Sequence, residues 1–180
     1  MKIINDAVWN TYIELGSTAY QQGYYEMADR MLEAALEEAQ RLGHKDSPLG
    51  TVFNKLAYIY YQQKNFKKAE TVYRRALSMY ERVLGEDDVH VSNILLNLAE
   101  LYFSLRKYNQ AGPLFERSIA IDRKKHGPEY KPLERRLMKL AWIYCHQGRY
   151  NEAHVLYKNA KTIKEASNPS QIQFLNKRVS

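Results

Sequence analysis

Cysteine is almost absent from this sequence. Cys145 is the single cysteine among 180 residues, which excludes an intramolecular disulfide framework and is typical of a reducing compartment. Apolar runs of roughly 18–20 residues, long enough to cross a bilayer, are also missing, and the first residues lack the apolar core of a secretory signal. We therefore expect a soluble, cytoplasmic protein, and a leader cleaved from a longer precursor stays open.

Proline and glycine are also scarce. The chain has five prolines and eight glycines, which leaves room for long helices. Apolar residues make up 45% and charged residues 26%, as in ordinary globular proteins, so wholesale disorder is not expected. Two features are in excess, namely a net charge of +7 and 15 tyrosines. Composition alone therefore suggests a basic protein that could bind nucleic acid.

Catalytic motifs are missing from the sequence. It contains no phosphate-cradling glycine loop, no H-E-x-x-H and no paired C-x-x-C. The histidines are scattered, and the adjacent side chains of Cys145 and His146 would point about 100° apart on a helix, a poor geometry for one metal ion. The acidic residues form no distinctive pair. We therefore predict a non-enzymatic protein with no catalytic residue, no metal site and no cofactor.

An internal repeat organises the chain. Gly43, Gly85 and Gly127 are spaced 42 residues apart. A period of this size indicates an array of equivalent structural units. A series of alanines follows the same spacing, except that its first interval is 41 residues: Ala28, Ala69, Ala111 and Ala153.

Each unit has the pattern of a helical hairpin. Apolar residues follow the i, i+3, i+4, i+7 spacing of one buried helical stripe, as in residues 53–60, 95–102 and 137–144. Short polar segments at residues 63–65 and 147–149 predict tight turns, which make the two helices antiparallel neighbours. Nine tyrosines occupy recurring positions, and most of them are interpreted as packing between helices: Tyr12, Tyr25, Tyr60, Tyr73, Tyr102, Tyr108, Tyr144, Tyr150 and Tyr157.

The recurring residues resemble the tetratricopeptide repeat. Its signature, W-x2-L-G-x2-Y and then A-x3-F-x2-A, is matched in degenerate form four times in register, for example by Leu98-Ala99, Tyr102, Ala111 and Phe115. The period of 42 is longer than usual, and residues 73–87 are similar to the kinesin-light-chain subtype. The resemblance implies an all-α, right-handed superhelical solenoid of about four helix-turn-helix hairpins. We predict a single domain over residues 6–166, with repeats at about 9–43, 50–85, 92–127 and 134–166.

The end of the sequence departs from this pattern. Lys161 replaces the apolar residue found at the equivalent Ile119, and Pro169 stands where the next spacing glycine would fall. Both departures indicate that the regular array ends at the fourth hairpin. Residues 171–178 include three apolar side chains, so segment 167–180 is either a capping helix over the last apolar face or a flexible tail.

The resemblance also implies a binding site. In this family the first helices of the hairpins line a concave groove, where asparagine side chains bond the backbone of an extended peptide and basic side chains bond its carboxylates. Aromatic residues would add contact area, as hot spots often do. The resemblance thus implies a protein-interaction scaffold that binds a short acidic peptide with an apolar or aromatic anchor. The matching positions here are Lys55, Asn97, Arg135 and Lys139. Asn54 and Asn93 are neighbours that could contribute, and Tyr58 and Trp142 can supply the aromatic contact area.

Several of these residues also have a purely structural interpretation. Lys55 could be a solvated surface lysine, and Asn97 could cap or bridge neighbouring helices. Trp142 could pack against the segment that follows it. The groove as a whole is therefore the firmer prediction.

Charge is unevenly distributed along the chain. Residues 1–90 carry a net charge of −2 and residues 91–180 a net charge of +9, a field that can steer acidic partners. The densest run, Arg123-Lys124-Lys125, would complement the dipole at a helix end, and contact with nucleic acid or an acidic membrane is the alternative. Two further classes stay open, a nucleic-acid-binding solenoid that uses the basic half and an assembly module that self-associates through its edge or tail.

Overall fold

The computed structural model describes residues 2–42 and 48–167. Within these ranges the chain forms eight α-helices and no β-strand. The all-α fold predicted from the repeat is confirmed, whereas Gly43 and the predicted cap within residues 171–178 lie outside the described residues. In chain order the helices are α1 (Lys2–Gln21), α2 (Tyr25–Leu42), α3 (Pro48–Gln62), α4 (Phe66–Leu84), α5 (Val89–Ser104), α6 (Tyr108–His126), α7 (Leu133–His146) and α8 (Tyr150–Ala166).

The helices pair as four hairpins, and the chain divides into two compact units. One unit extends up to Leu98 and the other begins at Ala99, so that the boundary falls inside α5. In the first unit α1 packs on α2 and α3 on α4, and in the second α7 packs on both α6 and α8. The assignment of residues 6–166 to a single domain stays a prediction.

Each hairpin turn places one residue in the left-handed region of backbone conformation. Lys64 has φ 57°, and its N–H donates to the Tyr61 carbonyl over 2.9 Å. The N–H of Asn65 reaches back to the Tyr60 carbonyl over 2.8 Å, which completes a Schellman motif at the end of α3. These bonds close the hairpin within three residues, as the short polar segments predicted. The equivalent residues of the other turns are Gly23 (φ 81°), Arg106 (φ 58°) and Gly148 (φ 75°).

The predicted apolar stripes form the core of the hairpins. They lie on the first helix of each of the last three hairpins, and all of their residues are buried. The helical period of the sequence therefore located the core correctly. The stripe residues are Phe53, Leu56, Ala57 and Tyr60 on α3, Leu95, Leu98, Ala99 and Tyr102 on α5, and Leu137, Leu140, Ala141 and Tyr144 on α7.

The first hairpin shows why a small residue stands opposite the second helix. A Cβ atom added at Gly16 of α1 would lie 2.8 Å from Cγ of Leu32 and 3.3 Å from the carbonyl oxygen of Ala28, both on α2. No side chain fits at such distances unless its neighbours move. Gly16 therefore lets α1 approach α2 more closely than any side chain would allow.

Glycines end α4 and α6, as their spacing predicted. Gly85 has φ 91° and its N–H donates to the Glu81 carbonyl over 3.0 Å, while Gly127 has φ 89° and bonds the Arg123 carbonyl over 2.9 Å. A positive φ favours glycine because it has no Cβ atom. After Gly85, Asp88 caps the start of α5, because its carboxylate accepts a 2.8 Å hydrogen bond from the backbone N–H of His90.

The nine tyrosines at recurring positions differ in their burial. Tyr60 is buried as expected, but Tyr25, Tyr150 and Tyr157 are exposed. Tyr25 and Tyr150 are the first residues of α2 and α8, beside exposed turns. The contrast is clearest at one repeat position, where Phe115 has no exposed surface and Tyr157 keeps 50%. α7 packs on α6, which carries Phe115, whereas Tyr157 lies on α8, the last helix that the structure describes.

A polar cluster is buried between α6 and α7. Arg136 Nη1 donates to Asp122 Oδ2 over 2.6 Å and to Ser118 Oγ over 2.8 Å, and all three residues are buried. The cluster joins the third hairpin to the fourth. It is not a general feature of the repeat, because the equivalent positions one repeat earlier hold Ala76, Tyr80 and Ile94.

Candidate functional site

The predicted site residues lie on the first helices of the last three hairpins. Each of the two compact units contains its own group of them. Asn54, Lys55, Tyr58, Asn93 and Asn97 lie in the first unit, on α3 and α5, and Arg135, Lys139 and Trp142 lie in the second unit, on α7.

Two asparagines of the first unit form an amide pair. Asn97 Nδ2 donates to Asn54 Oδ1 over 2.6 Å, and both side chains are half-buried. Asn97 thus links α5 to α3, the bridging interpretation that the sequence left open beside ligand contact. The pair still offers the Nδ2 donor of Asn54 and the Oδ1 acceptor of Asn97, the combination that matches one peptide unit.

Tyr58 lies on α3 and extends an aromatic group from the first hairpin. It keeps 49% of its surface exposed, and its ring centroid lies 5.9 Å from that of Tyr20 in an edge-on arrangement. Tyr20 in turn contacts Tyr25, with ring centroids 5.7 Å apart. Asn93 is exposed on the first turns of α5. Lys55 belongs to α3, and its side chain lies outside what the structure describes.

An aromatic pair recurs across the turns of the first three hairpins. Its two members are five residues apart, one near the end of the first helix and one at the start of the second. The ring centroids are 5.5–5.7 Å apart and the planes are steeply inclined, the arrangement that aromatic quadrupoles favour. The pairs are Tyr20–Tyr25, Tyr61–Phe66 and Phe103–Tyr108, and the fourth hairpin has Cys145 and Tyr150 at these positions.

Trp142 rests on the third of these pairs. Its ring centroid lies 5.2 Å from Phe103 and 4.7 Å from Tyr108, and His146 adds a contact at 3.9 Å. Trp142 still exposes 41% of its surface. Its contacts with Phe103 and Tyr108 pack it against the preceding hairpin, and one side of the indole stays exposed.

The two predicted cations of α7 have different environments. Lys139 pairs with the carboxylate of Glu100 on α5, and its ammonium lies 5.2 Å from the centre of the Phe103 ring. Arg135, one helical turn earlier, is exposed and has no ionic or hydrogen-bond partner among the described residues. Lys139 is therefore already paired with a carboxylate of the protein, whereas Arg135 can accept a carboxylate of a ligand.

Exposed residues of α7 form a continuous line, which we call the α7 stripe and define as Arg135, Met138 and Trp142. Their i, i+3, i+7 spacing places them on one face of the helix. All three are exposed, and two of them are large and apolar. The stripe thus combines an apolar surface with one unpaired positive charge.

Sequence reasoning missed some of the contacts that shape this surface. It placed Tyr108 only in the packing between helices, and it did not recognise the recurring aromatic pairs. The five-residue spacing across the turns, repeated with the period of the hairpins, was a signal that could have found them. The partner of Lys139 had no such signal, because Glu100 is 39 residues away in the chain.

The basic run of the sequence lies where its dipole interpretation placed it. Arg123, Lys124, Lys125 and His126 occupy the last turn of α6. Cations at this end of a helix are favoured by the partial negative charge of its carbonyls. The run is on the second helix of its hairpin and is separate from the α7 stripe in the chain.

Metal-binding clusters and membrane-spanning helices are both absent from the described ranges. No three His, Cys, Asp or Glu side chains converge there in a way that could hold a metal ion. No helix in the same ranges combines the length and the apolar character needed to cross a membrane.

Successive antiparallel helix pairs, each with a buried stripe and a left-handed turn residue, define the class of α-helical repeat proteins. The family model described as tetratricopeptide repeat matches residues 8–82, 48–124 and 90–166, so its overlapping matches cover most of the chain. The chain belongs to the tetratricopeptide-repeat family. Proteins of this family are generally non-enzymatic scaffolds for protein–protein interaction.

Solved structures with the same fold include a kinesin-light-chain-like protein. BtubC (BKLC) from P. vanneervenii is 28% identical with a TM-score of 0.76, over 91% of this chain and 66% of BtubC. The predicted kinesin-light-chain-like character is thereby confirmed. No curated protein matches the sequence.

Two further structures are more distant and show the fold alone. The apo form of RapI is 14% identical with a TM-score of 0.74, over 88% of this chain and 43% of RapI. Aspartyl phosphate phosphatase F from Bacillus subtilis is 17% identical with a TM-score of 0.68, over 89% of this chain and 41% of that protein. The chain thus spans slightly less than two thirds of BtubC and less than half of the other two.

Proposed function

We propose that the chain is a non-enzymatic interaction scaffold, and that the exposed face of α7 binds a short segment of a partner protein. The observation that carries this proposal is the α7 stripe, where an unpaired arginine, a methionine and a half-exposed tryptophan share one face of a helix. Arginine and tryptophan are the residues most often found at binding hot spots, and methionine adapts to varied apolar partners. The ligand is therefore a peptide with both an acidic and an apolar or aromatic side chain.

The apolar part of the ligand would dock against Trp142. The indole is held by Phe103 and Tyr108 at centroid distances of 5.2 and 4.7 Å, so little side-chain freedom remains to be lost on binding. Met138, one turn earlier, extends the apolar surface along the helix. An aromatic side chain gains most here, because offset and edge-on ring contacts add to the burial of apolar area.

The acidic part of the ligand would dock at Arg135. Its guanidinium is exposed and has no partner among the described residues, so a carboxylate could bond it in a two-pronged arrangement without displacing another group. The net charge of +9 on residues 91–180 favours the approach of an acidic segment. Both features support an acidic ligand over a basic one.

The amide pair of the first unit is a separate proposed contact, to the backbone of a peptide. After their mutual 2.6 Å bond, the Nδ2 atom of Asn54 can still donate and the Oδ1 atom of Asn97 can still accept. A peptide unit presents the complementary acceptor and donor, regardless of its side chain. Lys55, Tyr58 and Asn93 remain proposed members of this surface on the strength of their helix positions.

A peptide titration tests the proposal. The probe is a fluorescein-labelled peptide with one tryptophan and two aspartates on each side of it, and its neutral counterpart carries asparagines instead. We expect saturable binding of the acidic probe in an anisotropy assay, weaker binding of the neutral one, and a loss of about tenfold or more for Trp142→Ala and for Arg135→Gln.

Matched controls lie on α8, where similar residues are exposed outside the proposed surface. Tyr157→Ala removes an exposed aromatic ring and Lys158→Gln removes an exposed cation, and neither should change the affinity. Equal losses at the control and test positions would mean that the peptide binds nonspecifically through charge and apolar area. The proposal would then be wrong.

The same assay separates the other classes of function. Tight binding of DNA or RNA with a steep salt dependence, and none of the peptide, would favour the basic half as a nucleic-acid surface. A mass that rises with concentration in light scattering would favour an assembly module. A monomer or weak homo-oligomer in the cytoplasm stays our prediction.

A further inference from the structure

The environment of Lys139 sets it apart from the other proposed site residues. Its ammonium is bound by the Glu100 carboxylate, and the two side chains keep 21% and 32% of their surface exposed. The pair lies beside the aromatic group, since the Lys139 ammonium is 5.2 Å from the centre of the Phe103 ring. A carboxylate of the protein itself therefore occupies the place beside Trp142 where a ligand acid would meet Lys139.

The repeat shows that this carboxylate is a departure from the pattern. Position 100 is equivalent to position 58 one repeat earlier and to position 142 one repeat later, where Tyr58 and Trp142 stand. Position 139 is equivalent to Asn97 and Lys55. Packing of the repeat does not require an acid at position 100, so the Glu100–Lys139 pair is particular to this junction.

We propose that Glu100 acts as a built-in competitor for the acidic ligand and thereby sets its specificity. This inference rests on the proposed function, and it concerns how that surface selects its ligand. A ligand with one acid binds Arg135, which has no partner to lose. A ligand with a second acid reaches Lys139 only by displacing Glu100, so the gain from the second acid is reduced by the lost ion pair.

The competitor also explains how a basic surface can avoid binding every acidic segment. Two free cations one helical turn apart would attract acidic chains with little regard to their apolar residues. With Glu100 in place, Arg135 offers one charge, and most of the affinity must come from the fit against Met138 and Trp142. The surface thus favours ligands that carry the aromatic anchor.

The variant Glu100→Gln tests this inference. The amide is nearly the same size and carries no charge, so Lys139 is released without a cavity. We expect about a two- to fivefold gain in affinity for the tryptophan–aspartate probe, the range for a partly exposed ion pair, and no gain for the asparagine counterpart. Glu129→Gln removes the same charge from an exposed residue that has no contact with Lys139, and it should leave the affinity within about twofold.

A double-mutant cycle shows whether the effect passes through Lys139. In a Lys139→Met background, Glu100→Gln should no longer raise the affinity, because the competed cation is gone. An equal gain in both backgrounds would overturn the inference, as would an equal gain from Glu129→Gln. If the wild type binds the probe and Glu100→Gln does not bind it more tightly, only the competitor role is wrong. If neither form binds the probe, the proposed function fails as well.

Discussion

Arg136 and Asp122 form a salt bridge of 2.6 Å in the core between α6 and α7, where their side chains expose 8% and 3% of their surface. The Oδ1 atom of Asp122 is buried and has no hydrogen-bond partner among the described residues. A buried ion pair stabilises a protein only when its charges are fully satisfied. This pair therefore joins two hairpins without being an optimal source of stability.

Removal of one partner should be much more damaging than removal of both. Arg136→Met leaves the Asp122 carboxylate buried without its cation, and we expect a loss of about 3–5 kcal/mol in the free energy of unfolding. The double variant Arg136→Met with Asp122→Leu should recover most of that loss. Urea denaturation measures both, and Arg135→Met, at the exposed neighbouring position, serves as the control with an effect within about 0.5 kcal/mol. A double variant as unstable as Arg136→Met would contradict this account.

The left-handed turn residues offer a route to higher stability. Lys64 and Arg106 adopt φ 57° and 58° with side chains that disfavour this region, whereas the equivalent residues in the other turns are glycines. Lys64→Gly and Arg106→Gly should each raise the free energy of unfolding by up to about 1 kcal/mol. Thermal unfolding measures the change. Lys67→Gly, in the exposed first turn of α4, should be neutral or destabilising, so a gain there as well would point to a cause other than backbone conformation.

Two glycines inside helices should respond oppositely to the same substitution. Gly16→Ala forces a Cβ atom to within 2.8 Å of Leu32, and we expect a loss of about 1–3 kcal/mol in stability. A Cβ atom at Gly112 of α6 would lie 3.6 Å from Ile143 Cγ2, an ordinary contact, so Gly112→Ala should gain up to about 1 kcal/mol from helix propensity. Equal effects in denaturation experiments would show that the close approach at Gly16 is relieved by small movements of α2.

Stability should fall at alkaline pH because of Tyr73. Burial raises the pKa of Tyr73 to about 12, while an unfolded chain has a tyrosine pKa near 10. The neutral phenol is required in the fold, so its contribution is complete below about pH 10 and is lost as the pH rises toward about 12, by at most about 1.4 kcal/mol per pH unit. Denaturation at pH 9, 10 and 11 should show a shallower decline for Tyr73→Phe. Parallel curves for the two proteins would assign the decline to other groups.

The hairpins and their core could be predicted from the sequence because both follow from the periodic spacing of apolar residues. Phe53, Leu56 and Tyr60 lie one helical turn apart, and a helix with such a stripe has one face to bury. The turns could be predicted because a polar segment of three residues is too short to connect two helices unless they are antiparallel neighbours. The repeat then transferred each assignment to the next unit, so one well-marked hairpin supported the others.

The contacts between surface residues could not be predicted from this periodicity. Lys139 and Glu100 are 39 residues apart, and Asn97 and Asn54 are 43 apart, so their contacts depend on how successive hairpins are stacked. Tyr157 illustrates the same limit, because its repeat position predicts burial while its side chain keeps 50% of its surface exposed. The repeat pattern assigns a residue to a helix face, and it does not specify which neighbours that face contacts.

Cys145 gives the recurring aromatic position a practical use. The first three hairpins place Tyr20, Tyr61 and Phe103 there, and the fourth places an exposed, free thiol beside His146 and one turn from Trp142. As the single cysteine of the sequence, it can carry a maleimide dye or a spin label at one defined point next to the α7 stripe, with no background labelling to remove by mutation. A label on Cys145 thus allows ligand exchange at the α7 stripe to be measured by spectroscopy without any change to the sequence.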